Sequence, residues 1–171
     1  TFSNGSNTIA PNSNTTISIV GTSSAGCVSS NTAVSNIFVN PNPTITVNSG
    51  SICAGSNFVI IPSGASTYTI QGGNATVTPA TSTNYTVNGT SADGCVAQSA
   101  ATSSVTVNAN PTISVNNGTI CIGSNFVITP SGASTYTIEG GSATVTPNTT
   151  TSYTVCGTSV DGCLSQNTAT S

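Results

Sequence analysis

The sequence predicts an all-β protein made of tandem β-sandwich repeats with a 68-residue period, incomplete at both ends. Three cysteines, Cys27, Cys95 and Cys163, lie 68 residues apart. Residues 44–103 are identical to residues 112–171 at 44 of 60 positions. Thr, Val, Ile, Ser, Asn and Gly dominate the chain, which is a composition typical of strands and turns. An exact period of this length indicates an array of small domains.

The period divides the chain into three parts. Residues 1–43 match only the C-terminal part of a repeat, and residues 44–111 form a complete repeat. Residues 112–171 form a repeat without its last strand, the one that matches residues 104–108. An incomplete sandwich exposes unpaired strand edges, which is costly in a free monomer. We therefore expect either a segment of a continuous array or subunits that complete one another by strand donation.

The complete repeat alternates between strand and turn signals. Alternating apolar and polar residues predict strands or extended segments at 44–48, 67–71, 74–78, 84–88, 95–97 and 104–108. The segment 57–61 is apolar from Phe58 onward and predicts a central, buried strand. Turns are expected at 49–51, 62–66, 72–73 and 91–94, and the Gly72-Gly73 pair indicates a hairpin. About seven short strands with frequent turns are the pattern of an immunoglobulin-like sandwich.

The core of the complete repeat is predicted from apolar strand positions that share one face. Its members are Ile45, Val47, Phe58, Ile60, Tyr68, Ile70, Val77, Tyr85, Val87, Val105 and Val107. Tyr68 and its counterpart Tyr136 take the place of the Trp that such sandwiches often carry on the third strand.

The composition excludes several functions. Lys, Arg and His are absent, and the acidic residues are Asp93, Glu139 and Asp161. Without positive charge, the chain cannot neutralise nucleic-acid phosphates or bind anionic lipid electrostatically. Without a run of about 18 apolar residues, no direct membrane insertion is expected. The absence of His and Lys removes the commonest general base and the amine nucleophile, so we expect no enzyme and no catalytic residue.

No cofactor or metal site is expected either. Zinc sites that use His are impossible, and the cysteines are too dispersed for a zinc site of Cys alone. A calcium site needs several carboxylates together. Asp93 and Asp161 each stand alone in an Asp-Gly-Cys segment, which indicates a turn. Glu139 replaces Gln71 of the previous repeat and is expected to be a solvated strand residue.

Six cysteines in an array of small domains indicate an oxidising compartment. We expect the disulfides Cys53–Cys95 and Cys121–Cys163, each within one repeat. Each would close a loop of about 43 residues, which contributes about 4 kcal/mol in the chain-entropy model. A contribution of this size could decide whether so small a domain folds.

Two cysteines have no partner in this scheme. Cys27 lies in the partial repeat, whose front strands are missing from the sequence. Cys156 replaces Asn88 of the previous repeat and is expected to point outward, away from the face of Tyr153 and Val155. A Cys27–Cys156 bridge between neighbouring subunits is one prediction, because exposed thiols tend to pair in oxidising compartments. The alternative is that Cys27 pairs with a cysteine upstream of residue 1 and Cys156 stays free.

Asn-x-Ser/Thr sequons predict candidate glycosylation sites. There are seven, at Asn4, Asn14, Asn74, Asn84, Asn88, Asn117 and Asn148. A surface with so little charge needs another source of solubility, and glycans would supply it. The alternative is that these sequons arise by chance in a chain rich in Asn, Ser and Thr.

The order of motifs resembles a known group of repeats. Thr-Ile-x-Val-Asn is followed by Ile-Cys-x-Gly-Ser, Pro-Ser-Gly-Ala-Ser-Thr-Tyr-Thr, Val-Thr-Pro and Tyr-Thr-Val-x-Gly-Thr-Ser-x-Asp-Gly-Cys. This order is similar to the Ig-like (PKD-like) repeats of large surface and secreted proteins of Bacteroidetes bacteria. The resemblance covers the whole chain and implies a β-sandwich, export to the cell surface, and use as a stalk, adhesin or filament.

The function expected from the sequence is structural. The chain would be a subunit or segment of an extracellular filament or adhesin stalk at the cell surface, built from disulfide-stapled domains. Its main partner would be another copy of itself, with glycans as further partners. The alternative is a carbohydrate- or surface-binding accessory module of a larger secreted protein. All four tyrosines occupy core-like strand positions, which disfavours a sugar-binding platform.

Overall fold

The computed structural model of the protein describes residues 8–170, with side chains up to residue 168. Every regular element in this range is a β-strand, which confirms the prediction of an all-β chain. Nothing in the described range is a helix of the length and apolar character needed to cross a membrane.

The strands recur along the three parts of the sequence. Residues 8–43, the described part of the partial repeat, contain β1 (Thr15–Ile19) and β2 (Ala33–Ile37). The strands of the middle repeat, residues 44–111, are β3 (Thr46–Val47), β4 (Gly50–Cys53), β5 (Phe58–Val59), β6 (Pro62–Ser63), β7 (Thr67–Ile70), β8 (Thr76–Val77), β9 (Thr83–Thr90) and β10 (Ala101–Asn108). The strands of the last repeat, residues 112–170, are β11 (Ser114–Val115), β12 (Phe126–Val127), β13 (Pro130–Ser131), β14 (Thr135–Ile138), β15 (Thr144–Val145), β16 (Thr154–Thr158) and β17 (Ala169–Thr170).

The chain divides into two compact units. The first comprises the described part of Thr1–Ile45 with Ser63–Thr69 and Asn88–Ala100. In it, β1 and β2 form an antiparallel pair in which Thr15 lies opposite Ile37. A tight turn is closed by hydrogen bonds from Ser91 N to the Cys95 carbonyl and from Gly94 N to the Ser91 carbonyl. The Asp-Gly turn expected around Asp93 is therefore present.

The second compact unit comprises Thr46–Pro62, Ile70–Val87 and the described part of Ala101–Ser171. Strand β10 is the centre of its pairing, within a sheet of order β4-β10-β9-β7. The first half of β10 pairs antiparallel with β9, with Ala101 opposite Val87. The second half pairs in parallel with β4, with Asn108 opposite Cys53. Strand β10 therefore pairs with β9 along its first half and with β4 along its second half.

The core of the last repeat is built by two groups of strands. Ile113, Ile128 and Val155 are buried together. Val155 lies on β16, which pairs with β14 and β17. Ile113 and Ile128 flank β11 and β12, which pair with β13 and β15. Half-buried side chains complete this core: Val115, Phe126, Ala133, Tyr136, Ile138, Val145 and Tyr153.

The core predicted for the middle repeat is confirmed. All eleven side chains named from the sequence are buried or half-buried, and Ile60, Val87 and Val105 are almost fully buried. Tyr68 is held locally, because its hydroxyl donates to the Ala65 carbonyl and accepts a hydrogen bond from the Ala65 N–H. A half-buried phenol with its hydroxyl satisfied in this way suits a core position.

Several local predictions were wrong. The segments expected as turns at 49–51 and 62–66 contain strands β4 and β6. The segment 57–61 is not buried throughout, because Val59 and Ile61 are exposed and only Phe58 and Ile60 face the core. Gly72-Gly73 forms a turn but no hairpin. Strand β7 lies beside β9, whereas β8 pairs with β5 in another sheet.

Two equivalent glycines allow a close backbone approach. Gly64 and Gly132 have φ of 100° and 98°, in the left-handed region. A Cβ added at Gly132 would lie 2.1 Å from the Thr112 carbonyl oxygen, which is a severe overlap with backbone. Gly141 has a similar φ of 78°, but no atom lies within 4 Å of an added Cβ.

We expect Gly132→Ala to destabilise the protein more than Gly141→Ala does. Both substitutions carry the cost of an alanine in the left-handed region, about 1–2 kcal/mol. Only Gly132→Ala adds the overlap with the Thr112 carbonyl, for a total of about 3 kcal/mol or more. Denaturant unfolding of the two variants measures the difference, and equal losses would contradict the close approach.

Candidate functional site

The most informative site is a covalent joint between consecutive repeats. Cys53 of the middle repeat forms a disulfide with Cys163 of the last repeat, and their Cα atoms are 5.5 Å apart. The two residues are separated by 110 positions, more than one 68-residue period. Cys163 is fully buried at this joint. The bond therefore ties one repeat to the next.

Backbone pairing brings Cys53 to this joint. The parallel register of β4 on β10 places Cys53 beside Asn108, the last residue of β10. The Ala54 N–H donates to the Asn108 carbonyl at 2.9 Å, and the Asn110 amide donates to the Ala54 carbonyl at 3.0 Å. Residues 108–111 are the short linker between the middle repeat and the last repeat. Because Asn110 lies in this linker, these bonds fix the linker against the end of β4.

The partner cysteine, Cys163, lies on a turn of the last repeat. The Ser159 N–H donates to the Cys163 carbonyl at 2.8 Å, and the Cys163 N–H donates to the Ser159 hydroxyl at 3.1 Å. The Cys163 sulfur lies 4.0 Å from the Asn108 carbonyl oxygen. This is the Asp-Gly turn predicted around Asp161. Its role in the joint was not predicted.

The joint corrects the disulfides expected from the sequence. The pairs Cys53–Cys95 and Cys121–Cys163 do not form, and Cys95 and Cys121 are free thiols. The reason is strand direction. Cys53 lies beside the end of β10, whereas Cys95 follows β9, whose last part lies beside the start of β10. Sequence reasoning missed this because it interpreted residues 49–51 as a turn and did not predict the parallel strand β4.

Cys95 occupies the same position one period earlier. Its thiol donates to the Asn40 carbonyl at 3.7 Å, and Asn40 precedes Asn108 by 68 residues. The turn that carries Cys95 has the same hydrogen bonds as the turn that carries Cys163. The Cys95 turn therefore repeats, one period earlier, the half of the joint that carries Cys163.

The last repeat has an open groove where the middle repeat holds the second half of β10. The groove has a volume of about 390 Å³. Its lining includes residues 118–120 on one side and residues 147–151 on the other, with Phe126 and Tyr153 as aromatic walls. In the middle repeat, the matching residues 50–52 pair with β10, and the Ser82 hydroxyl accepts a hydrogen bond from Val107 N–H. Residues 118–121 form no strand of their own.

The partial repeat has an open apolar face. Ile19 is 41% exposed, although its counterpart Val87 is fully buried. Ile37 is half-buried, although its counterpart Val105 is 2% exposed. In the middle repeat the front strands β3 to β6 precede these positions in the chain, and the described part of the partial repeat has no counterpart of them. These apolar residues are therefore more exposed than their counterparts in the middle repeat.

The other predicted residues lie at the surface. Cys27 and Cys156 are free and exposed, and Cys156 points outward as predicted. The bridge between them stays a prediction. Six of the sequon asparagines are exposed, and Asn4 lies outside the described residues. Within the described part of the chain, no group of three or more Cys, Asp or Glu side chains is placed to hold a metal ion.

No protein-family model and no curated protein matches the chain. A solved structure described as "Ca2+-stabilized adhesin helps an Antarctic bacterium reach out and bind ice" matches with a TM-score of 0.44 and 17% sequence identity. The match covers 91% of this chain and 55% of that chain, so this chain spans about half of its length. A likeness at this level supports no conclusion about function.

We expect disulfide mapping to recover Cys53 linked to Cys163. Trypsin has no cleavage site, because Lys and Arg are absent, so pepsin would be used on the unreduced protein. The linked peptides should separate on reduction. A peptide linking Cys53 to Cys95 would contradict the joint.

The joint should also contribute strongly to stability. The double variant Cys53→Ser, Cys163→Ser should lose about 4–5 kcal/mol, the chain-entropy value for a loop of about 100 residues. The matched control is Cys156→Ser, an exposed free thiol, which should change stability by less than about 0.5 kcal/mol. Denaturant unfolding measures both, and equal effects would mean that the bond contributes little.

Proposed function

We propose that this chain is a non-catalytic structural segment of an extracellular filament or adhesin stalk, built from Ig-like repeats that are covalently joined in series. The observation that carries this proposal is the Cys53–Cys163 disulfide, because it ties one repeat to the next. A bond inside each repeat would only stabilise that repeat. A bond across the linker instead resists separation of neighbouring repeats under force.

The chemistry of the chain supports an exposed, durable role outside the cell. A disulfide persists in oxidising compartments and is rare in the cytosol. The absence of Lys and Arg leaves no site for trypsin-like proteases. The absence of Lys, Arg and His also argues against nucleic-acid binding and against most acid–base catalysis. The resemblance to Bacteroidetes surface repeats agrees with this role.

Glycosylation would suit the same role. The exposed sequon asparagines are Asn14, Asn74, Asn84, Asn88, Asn117 and Asn148. Asn14 accepts a hydrogen bond from Val39 N–H through Oδ1, and Asn88 accepts one from Gly89 N–H in the same way, so neither bond engages the Nδ2 atom to which a glycan attaches. We propose that these exposed sequons carry glycans, since their position at the surface meets the first requirement of a glycosylation site.

The structural role is preferred over carbohydrate recognition. Sugar-binding platforms need exposed aromatic rings, and all four tyrosines are half-buried. Tyr68 and Tyr136 use their hydroxyls on the backbone of Ala65 and Ala133. The accessory-module alternative therefore has no observation in its favour.

Strand complementation between repeats is the proposed mode of assembly. The groove of the last repeat accepts an extended strand of the type Ser-Val-Thr-Val-Asn, the sequence of residues 104–108. Two observations support this: the equivalent space in the middle repeat holds that strand, and residues 118–121 offer an edge without a partner strand. Main-chain hydrogen bonds and two inward valines would supply the binding.

The location is tested on intact cells that produce the protein. Antibodies against the chain should label the outer surface or attached fibres without permeabilisation. Labelling that appears only after permeabilisation would overturn the proposed function.

We expect a fluorescent peptide of residues 102–110 to bind the intact chain. The control peptide has the same composition, with both valines moved by one position, which turns them to the opposite face. The control should bind at least tenfold more weakly, which corresponds to about 1.4 kcal/mol. Fluorescence anisotropy measures both affinities, and equal binding would contradict a strand-shaped groove.

A further inference from the structure

We propose that Asn88 is a site of spontaneous covalent modification, in which its side-chain amide reacts with the backbone nitrogen of Gly89 and is converted to aspartate or isoaspartate. The two residues form an Asn-Gly pair at the end of β9. The Gly89 N–H donates a hydrogen bond to Asn88 Oδ1 at 2.9 Å. The reaction lies outside the structural role proposed above and does not depend on it.

The glycine at this position has a different hydrogen-bond partner in the other two parts of the chain. In the partial repeat, the Gly21 N–H donates to the Ser29 hydroxyl at 3.1 Å. In the last repeat, the Gly157 N–H donates to the Ser165 hydroxyl at 3.1 Å. A serine that lies eight residues after the glycine is therefore the acceptor at both positions.

In the middle repeat, an alanine occupies the position of that serine. The Ala97 N–H still donates to the Gly89 carbonyl at 2.9 Å, as the backbones of Ser29 and Ser165 do to their glycines. The backbone pairing is thus the same, but the alanine side chain has no acceptor atom. The Gly89 N–H bonds to the side chain of Asn88 instead.

Packing requires the glycine of this pair. A Cβ added at Gly89 would lie 2.6 Å from Ile45 Cδ1 and 2.8 Å from Ala65 Cβ, so a larger residue does not fit. The residues that match Asn88 one period away are Val20 and Cys156, which carry no amide. The middle repeat therefore combines a required glycine, a preceding asparagine and a missing serine.

The hydrogen bond holds the attacking atom beside the atom that it attacks. Oδ1 is bonded to Cγ at about 1.2 Å, so the Gly89 nitrogen lies next to the carbonyl carbon of Asn88. Such proximity favours an intramolecular reaction. Asn88 is exposed, so water reaches the amide. By contrast, the N–H groups of Gly94 and Gly162 in the Asp-Gly turns donate to backbone carbonyls.

The reaction has two steps, and water is its one co-reactant. The Gly89 nitrogen forms a bond to Asn88 Cγ, and the Cγ–Nδ2 bond breaks. The proton of the Gly89 N–H passes through water to the departing nitrogen, which leaves as ammonia with the electron pair of the broken bond. Water then opens the resulting succinimide ring at either carbonyl, which gives aspartate or isoaspartate without any change of oxidation state.

The two products affect β9 differently. Aspartate keeps an acceptor oxygen for the Gly89 N–H and adds one negative charge to an exposed position. Isoaspartate inserts one more carbon into the backbone between the two residues. Val87 before this point pairs with Ala101, and Thr90 after it forms a bridge with Val96. The isoaspartate form should therefore lose the pairing on one side of the inserted atom.

The reaction is tested on the full chain, produced without glycans and incubated at mildly alkaline pH. Peptic digestion and mass spectrometry measure the conversion of Asn88 to aspartate and isoaspartate, with the Asn117-Gly118 pair as an internal reference. Ala97→Ser restores the acceptor found in the other two parts and should slow the conversion about fivefold, the effect of one hydrogen bond. Ala92→Ser adds a hydroxyl at an exposed position of the next turn and should leave the rate unchanged.

Two results would overturn the proposal. One is conversion of Asn88 that is unchanged or faster in Ala97→Ser. The other is an Asn88 that stays intact in the unaltered chain while Asn117 is converted.

A second pair of variants tests the hydrogen bond without the reaction. Asn88→Val, which introduces the residue found at Val20, removes the acceptor of the Gly89 N–H and should lower the denaturant midpoint. Adding Ala97→Ser to this variant recreates the arrangement of Gly21 and Ser29 and should restore the midpoint. A midpoint that the added serine does not restore would show that Asn88 does not replace the serine, and the proposal would fail.

Discussion

The parallel pairing of β4 with the second half of β10 is the interaction on which the joint depends. It ends with Cys53 beside Asn108, where the first residues of the linker begin. From there, Ala54 and Asn110 bind the linker to the strand end, and Cys163 closes the disulfide. Without this pairing Cys53 would have no fixed position relative to the next repeat. The covalent link is thus a consequence of backbone register.

Uncharged side chains satisfy the hydrogen-bonding groups of this chain. Asn48 donates to the Val59 carbonyl and accepts from the Ile61 N–H, so its side-chain amide extends the pairing of β5. Asn116 repeats this arrangement one period later, with Val127 and Thr129. No buried side-chain polar atom in the described residues lacks a hydrogen-bond partner. Amides, hydroxyls and the tyrosine phenols therefore satisfy the interior, and the chain needs no ion pair for this purpose.

The three parts of the chain repeat the same local structures. The Cys95 thiol lies beside the Asn40 carbonyl as the Cys163 sulfur lies beside the Asn108 carbonyl one period later. The turns that carry these two cysteines have the same hydrogen bonds. The groove of the last repeat is lined by residues 118–120, which match the residues of the middle repeat that pair with β10. The repeated sequence therefore produces the same turn at each period, whereas the pairing of its cysteine differs.

The sequence by itself determined the strand content, the period and the core. Alternation identified which residues face inward, because side chains on a strand alternate between its two faces. All eleven residues named as the core of the middle repeat are buried or half-buried. The repeat also located the Asp-Gly turns. The tertiary structure alone decided the cysteine pairing. Residues 49–51 carry a turn-like Ser-Gly-Ser pattern, and only the free edge of β10 makes them part of a parallel strand. Because this parallel pairing places Cys53 beside Asn108, the last residue of β10, the disulfide runs to the next repeat. Local sequence signals do not specify which strand residues 50–53 pair with.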